Sequence, residues 1–184
     1  VQLHDASSLR RLILANELDL GIMGSDQGRL SEPGLLEQPF IRDEVVVVVH
    51  AGHRWASRRS VDPRELAEEK IIMAPRSALT RQIVERTLRK KGLSLEVEYE
   101  ISQAALIKRM VEQKLGITLL CRSEIRRESA ARWLCGVPLT GVRIPRSVVV
   151  VYHRDKPLSA ALRSFIDFLA ERREHFQRLF AGEG

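Results

Sequence analysis

The sequence is short of the residues that staple, span or stack. Two cysteines in 184 residues, Cys121 and Cys135, are too few for a disulfide framework and show no metal-ligand spacing, so a reducing cytoplasm is the expected compartment. Aromatic residues make up only 5% of the chain, and no aromatic ladder interleaves the basic residues as single-stranded nucleic acid would require. The longest apolar run, Val45 to Val49, is strand-sized and far below the roughly 20 residues needed to cross a bilayer, so no membrane partner is expected. The opening "VQLHDASSLRR" lacks the basic start, apolar stretch and small-residue cleavage site of a secretory signal, and reads as a chain entered mid-fold.

Motifs for cofactor chemistry are also missing. The glycines of "GIMGSDQG", at 21, 24 and 28, miss the dinucleotide spacing, and there is neither a phosphate-binding loop nor a Gly-x-Ser-x-Gly elbow. His50 and His53 in "HAGHRW" have no third ligand at metal-binding spacing. No cofactor, metal or catalytic set is therefore expected.

What is there is an ordinary globular composition, 44% hydrophobic and 29% charged. Thirty basic against 24 acidic residues give a net charge of +6 and a pI near 9.8, which permits contact with nucleic acid or an anionic ligand. The basic run "RTLRKKG" has helical spacing and reads as a solvated helix face.

Strand and helix patterns alternate. Val1 to Leu3 reads as the end of a strand, and Asp5 or Ser7 caps a helix carrying Leu9, Leu12, Ile13 and Leu14. Leu18 to Met23 is a buried strand ended by Gly24, followed by the loop "GSDQGRLSEPG". Val45 to Val49 is a strand covered on both faces. Asp62 caps a short helix at Pro63 to Glu68, and "KIIMA" is a strand. Ser77 or Thr80 caps a helix that Gly92 stops. "LEVEYEI" alternates as a strand, and "SQAALIKRMVEQKLG" is a capped helix ending in Gly116. "ITLLC" is a strand, "RSEIRRESAARWL" a helix and "GVPLTGVRIPR" a turn-rich segment; a second valine run and a closing helix from Ser159 to about Phe180 complete the chain. This order argues an α/β fold. The two runs, "EVVVVVH" and "SVVVVYH", bracket a block with its own strands and helices, so they are expected to be outgoing and returning crossovers between lobes, side by side and antiparallel.

Two strand-to-helix junctions stand out. "APRSALTRQ" collects Arg76, Ser77, Thr80 and Arg81 where a helix begins, and "EISQAAL" repeats the event with Ser102 and Gln103. Each by itself is a capped helix; two helix N-termini at the carboxyl ends of neighbouring strands make a crevice of a size and polarity suited to a small anion. Cys121, at the end of "ITLLC", is either a buried inert thiol or a residue looking toward that crevice. Phe176 and Phe180 lie beyond the core stripe of the closing helix and are placed to meet a partner.

Taken in order, "LILANELDLGIMG", "VVVVVHAGHRWASRRSVDPREL", "ALIKRMVEQKLGITLLCRSEI" and "VVVVYHRDKPLSAALRSFIDFL" resemble the effector-binding (substrate-binding) domain of LysR-type transcriptional regulators, from Val1 to about Leu169. The resemblance implies two Rossmann-like lobes joined by two crossover strands, like the type 2 periplasmic binding proteins, with the usual first strand and helix missing. Residues 1–46 with 150–184 would form lobe I and 47–149 lobe II. It further implies a small, anionic effector between the lobes, self-association as a dimer or tetramer, and DNA contact only through an N-terminal domain outside this chain. Carried over by position, the effector site comprises Met23, Gly24 and Ser25 from lobe I, and Pro75, Arg76, Ser77, Thr80, Arg81, Ser102, Gln103 and Cys121 from lobe II. Arg76 and Arg81 would supply charge. The chain departs from the family pattern at Cys121, where proline is common, and at Asn16, where glycine is. It has no cysteine in "APRSALTRQ", where peroxide-sensing relatives carry one. The competing readings are a free-standing solute-binding protein of a transport system, and an enzyme of this architecture, for which no nucleophile, base or metal set converges.

Overall fold

Five consecutive valines leave a strand no face for water, so apolar cover is needed on both sides. The computed structural model describes residues 6–25 and 32–181. Its elements in chain order are α1 (Ala6–Leu14), β1 (Leu20–Ser25), β2 (Leu35–His50), a 3-10 turn at Pro63–Glu68, β3 (Ile72–Met73), α2 (Leu79–Arg89), β4 (Tyr99–Glu100), α3 (Ala104–Glu112), β5 (Thr118–Cys121), a 3-10 turn at Arg122–Ile125, α4 (Arg126–Ala130), β6 (Leu134–Val137), β7 (Pro145–His153), α5 (Ala160–Glu171) and α6 (Arg173–Ala181). The first valine run is the second half of β2. Val45, Val47 and Val49 enter one core with Trp55, Ile83 and Leu119, while Val46 and Val48 enter another with Ile72, Ile107 and Leu134. The second run, in β7, divides alike: Val149 and Val151 join Leu9, Ile13 and Leu35, and Val150 joins Phe40, Ile41 and Leu169.

The chain divides into two compact units, Val1–Arg42 with Arg146–Gly184, and Asp43–Pro145. In unit 1, β1 pairs antiparallel with β7 from Leu20 opposite Tyr152 to Ser25 opposite Ser147, and β7 lies between β1 and β2. The Arg154 N–H donates to Gly34 O at 2.8 Å, and α1 covers one face of this layer while α5 and α6 cover the other. In unit 2, β2 pairs antiparallel with β5, from Val45 opposite Cys121 to Val48 opposite Thr118, and with β6, from Val47 opposite Val137 to His50 opposite Leu134.

β2 and β7 are neighbouring antiparallel strands, as expected of crossovers, but the two valine runs are not side by side. With Gly34 next to Arg154 and Val45 bonded to Ile144, the second run lies along the first half of β2. The first run takes β5 and β6 as neighbours instead. The runs match because each crosses a sheet between two apolar layers, not because they pair.

Several boundaries move for identifiable reasons. Neither Ser77 nor Thr80 caps α2, whose N-cap is Ala78, and the N-cap of α3 is Gln103; neither cap makes a side-chain hydrogen bond. α3 ends before Lys114, which takes the left-handed conformation (φ 62°) that Gly116 was expected to supply. Gly116 is instead a close-approach position, since a Cβ there would stand 2.4 Å from Lys70 O. The alternation of "LEVEYEI" overstates the strand: only Tyr99–Glu100 pairs, and Leu95 and Val97 pack their side chains on the core without joining the ladder. Leu134 begins strand β6. The closing helix breaks at Arg172, and Phe176 and Phe180 pack on the Phe40 cluster of unit 1, with the Phe40 and Phe176 rings edge to face at 5.4 Å. Asp62 does cap the Pro63–Glu68 turn, in a reciprocal box with Glu65. Ser7 lies within α1, while Asp5, the Val1 to Leu3 strand end and most of the loop after Ser25 fall outside the described residues.

Leu119 is wholly buried against the Val47 side of the unit 2 core. Leu119→Ala is expected to cost about 2–5 kcal/mol, read as a lower urea midpoint at unchanged slope.

Candidate functional site

Three strands deliver polar residues to one edge of unit 2. β3 and β4 are parallel, with Ile72 opposite Tyr99 and Met73 opposite Glu100, and a parallel bridge between Ile71 and Ile117 sets the lead into β5 on the other flank of β3. Parallel strands end on a common side, so Pro75, Arg76 and Ser77 after β3, Ser102 and Gln103 after β4, and Cys121 at the end of β5 share the carboxyl edge of this sheet. α2 and α3 start from the same edge, with their first N–H groups directed toward it. Arg76, Ser77, Ser102 and Gln103 are exposed, Pro75 and Thr80 are half-buried, and Cys121 is buried. The backbone of the first junction is held by Gln82, whose carboxamide donates to Arg76 O and Ser77 O, each at 3.3 Å. The Arg76 guanidinium has no ion-pair partner among the described residues.

The two arginines of this junction part company. The Arg81 side chain is only 3% exposed; its Nε donates to Glu85 at 2.8 Å, and its Nη1 donates to Ala74 O at 2.9 Å and Glu100 at 2.8 Å. Its charge is thus engaged by this chain's own carboxylates, and it clamps the start of α2 to the ends of β3 and β4. Cys121 closes the turn that follows it: its sulfur accepts the Glu124 N–H while its own N–H donates to Glu124 Oε2 at 2.9 Å. Next to it, Arg122 donates two hydrogen bonds to Glu44 Oε1 at 3.0 and 2.9 Å.

In unit 1, the end of β1 is a polar cluster under tight packing. Met23 turns into the Leu9, Ile13 and Leu35 core. Ser25 is buried and its hydroxyl donates to Glu37 Oε2 at 2.7 Å, while Arg10 donates to Glu37 Oε1 at 2.9 Å. The Arg146 guanidinium lies over Gly24 and donates to Ser25 O at 3.0 Å. A Cβ at Gly24 would fall 2.0 Å from Arg146 Nη2, so a side chain there would displace that guanidinium from its present seat. Glu37, Arg10 and Arg146 carry no local sequence signal; Arg146 lies 121 residues from its partner, and only the antiparallel pairing of β1 with β7 brings them together.

The family model described as LysR substrate binding domain matches residues 1–174. The chain belongs to this family. Among curated relatives, this LysR substrate-binding domain is 29% identical over 164 residues to the HTH-type transcriptional regulator YeiE of Escherichia coli K12, covering 89% of this chain and 55% of YeiE. It is 26% identical over 162 residues to the RuBisCO operon transcriptional regulator of Allochromatium vinosum, covering 88% and 53%. The chain thus spans about half the length of the curated relatives it matches. Among solved structures, the CcmR regulatory domain of Synechocystis PCC6803 in complex with 2-PG superposes with a TM-score of 0.81 at 23% identity, covering 94% of this chain and 82% of that one. The effector binding domain of QuiR in complex with shikimate gives 0.77 at 17% identity, covering 94% and 79%. These likenesses establish the α/β fold of the periplasmic-binding-protein type for this LysR substrate-binding domain.

Arg81→Gln removes a cation from two carboxylates that keep partial access to water. It is expected to lower unfolding free energy by about 1.5–3 kcal/mol in urea titration, toward the lower end because Glu100 is half exposed.

Proposed function

We propose that this chain senses a small anionic metabolite, and that in the longer protein it belongs to, occupancy modulates transcription through a DNA-binding domain elsewhere in that protein. The observation that carries this reading is the carboxyl edge of unit 2. Open α/β sheets bind ligands outside the carboxyl ends of their strands. Here that edge presents the Arg76 guanidinium, without an ion-pair partner among the described residues, the hydroxyls of Ser77 and Ser102, the Gln103 carboxamide and the starts of two helices. Within unit 2, Pro75, Thr80 and Cys121 shape this edge and Arg81 braces it from behind. The relatives are transcriptional regulators by name, and two structural neighbours hold small ligands, 2-PG and shikimate.

Binding rather than turnover is favoured by the placement of the imidazoles. A serine nucleophile needs a base within hydrogen-bond reach. Of the histidines of unit 2, His50 is the last residue of β2 and His53 lies beyond it, whereas Cys121 and the polar edge lie at the Val45 end of that strand segment. A ligand alters output only by binding one conformation more tightly than another, so the regulatory arm requires that the metabolite distinguish two states of the longer protein. Self-association and a cytoplasmic location accompany this assignment.

Calorimetric titration of the chain with a panel of small organic acids, including 2-PG and shikimate, tests it. One acid is expected to bind at a 1:1 ratio, and Arg76→Ala is expected to weaken that binding by about tenfold or more. Unchanged affinity in an Arg76→Ala, Ser102→Ala double variant would place the ligand elsewhere.

A further inference from the structure

We propose that unit 2 carries a second ligand site, at the end of its sheet remote from the polar edge, for a small aromatic carboxylate. A concave surface of about 370 Å³ is lined there by His50, Ala51, Arg109, Glu112, Lys114 and Trp133. His50 lies five residues along β2 from the Cys121 partner Val45, about 16 Å away at strand rise.

Three observations give this surface its chemistry. First, Trp133 is 59% exposed while the other tryptophan, Trp55, is fully buried, so much of the Trp133 indole is open to solvent beside a concavity that can hold a flat ring. Second, the cations there are not neutralised alike. Arg109 is ion-paired with Glu112 at 2.8 Å, but the Lys114 ammonium has no ion-pair partner among the described residues. Lys114 and Arg132 both take the left-handed conformation, φ 62° and 58°, where α3 and α4 end. Glycine serves that conformation without steric cost, so the turn itself does not call for lysine. The potential that results is felt by His50, whose pKa is lowered by burial and then by His53 and Lys114, against an opposing effect of Glu69. Third, His50 Nδ1 accepts the Gly52 N–H at 3.1 Å, which leaves the proton of the neutral ring on Nε2, a donor suited to a carboxylate oxygen.

The exposed indole, the free ammonium and the imidazole N–H together match a ring bearing one carboxylate. None of these residues belongs to the metabolite site proposed above, so the two assignments stand or fall separately.

The probe is 4-(trifluoromethyl)benzoate, observed by fluorine NMR line broadening on adding the full chain. Broadening is expected with the wild type and with the Arg76→Ala, Ser102→Ala double variant. A loss of affinity of about fivefold or more is expected in Lys114→Gln and in Trp133→Leu, both at exposed positions. The neutral 4-(trifluoromethyl)benzamide should broaden far less. No broadening at millimolar protein and probe, equal broadening by acid and amide, or full broadening in both Lys114→Gln and Trp133→Leu would each overturn the proposal.

Discussion

The structure depends on one constraint: the valine segments of β2 and β7 need apolar cover on both faces. An ordinary amphipathic strand needs one core, whereas these need two each, and the chain supplies four apolar clusters. Helices α2 and α3 meet this need for the first run, and α1 with the α5–α6 pair for the second. Because crossover helices connect parallel strands, covering the faces also fixes where the strands end, and those ends are where polar residues gather. Packing and binding are thus linked through topology.

That link explains what could be read from the sequence. Apolar periodicity located α2 and α3, the valine strands and β5, because each buries a face with a regular repeat. It misjudged short segments whose burial comes without pairing. Leu95 and Val97 alternate like strand residues yet only pack, and Leu134 to Val137 pair although Leu134 reads as the end of a helix and Gly136 and Pro138 as a turn. Residues that end helices also misled: a glycine, Gly116, was expected to stop α3, but Lys114 takes the left-handed position, and Gly116 is small because Lys70 O lies against it.

The polar edge was legible as two junctions because hydroxyls and arginines cluster in short windows. What a window does not carry is direction. Arg76 and Arg81 are equivalent cations in the sequence, but Arg81, on the inner side of α2, is taken up by Glu85, Glu100 and Ala74 O, while Arg76 stays in water. Likewise nothing local marks Glu37, Arg10 and Arg146 as one cluster with Ser25, since their separations range from 12 to 121 residues. Pairs of that kind become visible only with the strand register.

One contact in unit 1 has a wider reach than its size. At Arg42, the last residue of that unit on β2, the backbone N–H donates to the Gln177 Oε1 and the backbone carbonyl accepts from the Gln177 Nε2, both at 2.8 Å. A carboxamide has the donor and acceptor of a peptide group, so this side chain from α6 stands in for a neighbouring strand one residue long. β2 can then exchange its set of partners without leaving an orphaned amide where it leaves the unit. Helix α6 is therefore a splint on β2 at Arg42, and the seating of the α5–α6 pair is felt directly by the strand backbone at that point.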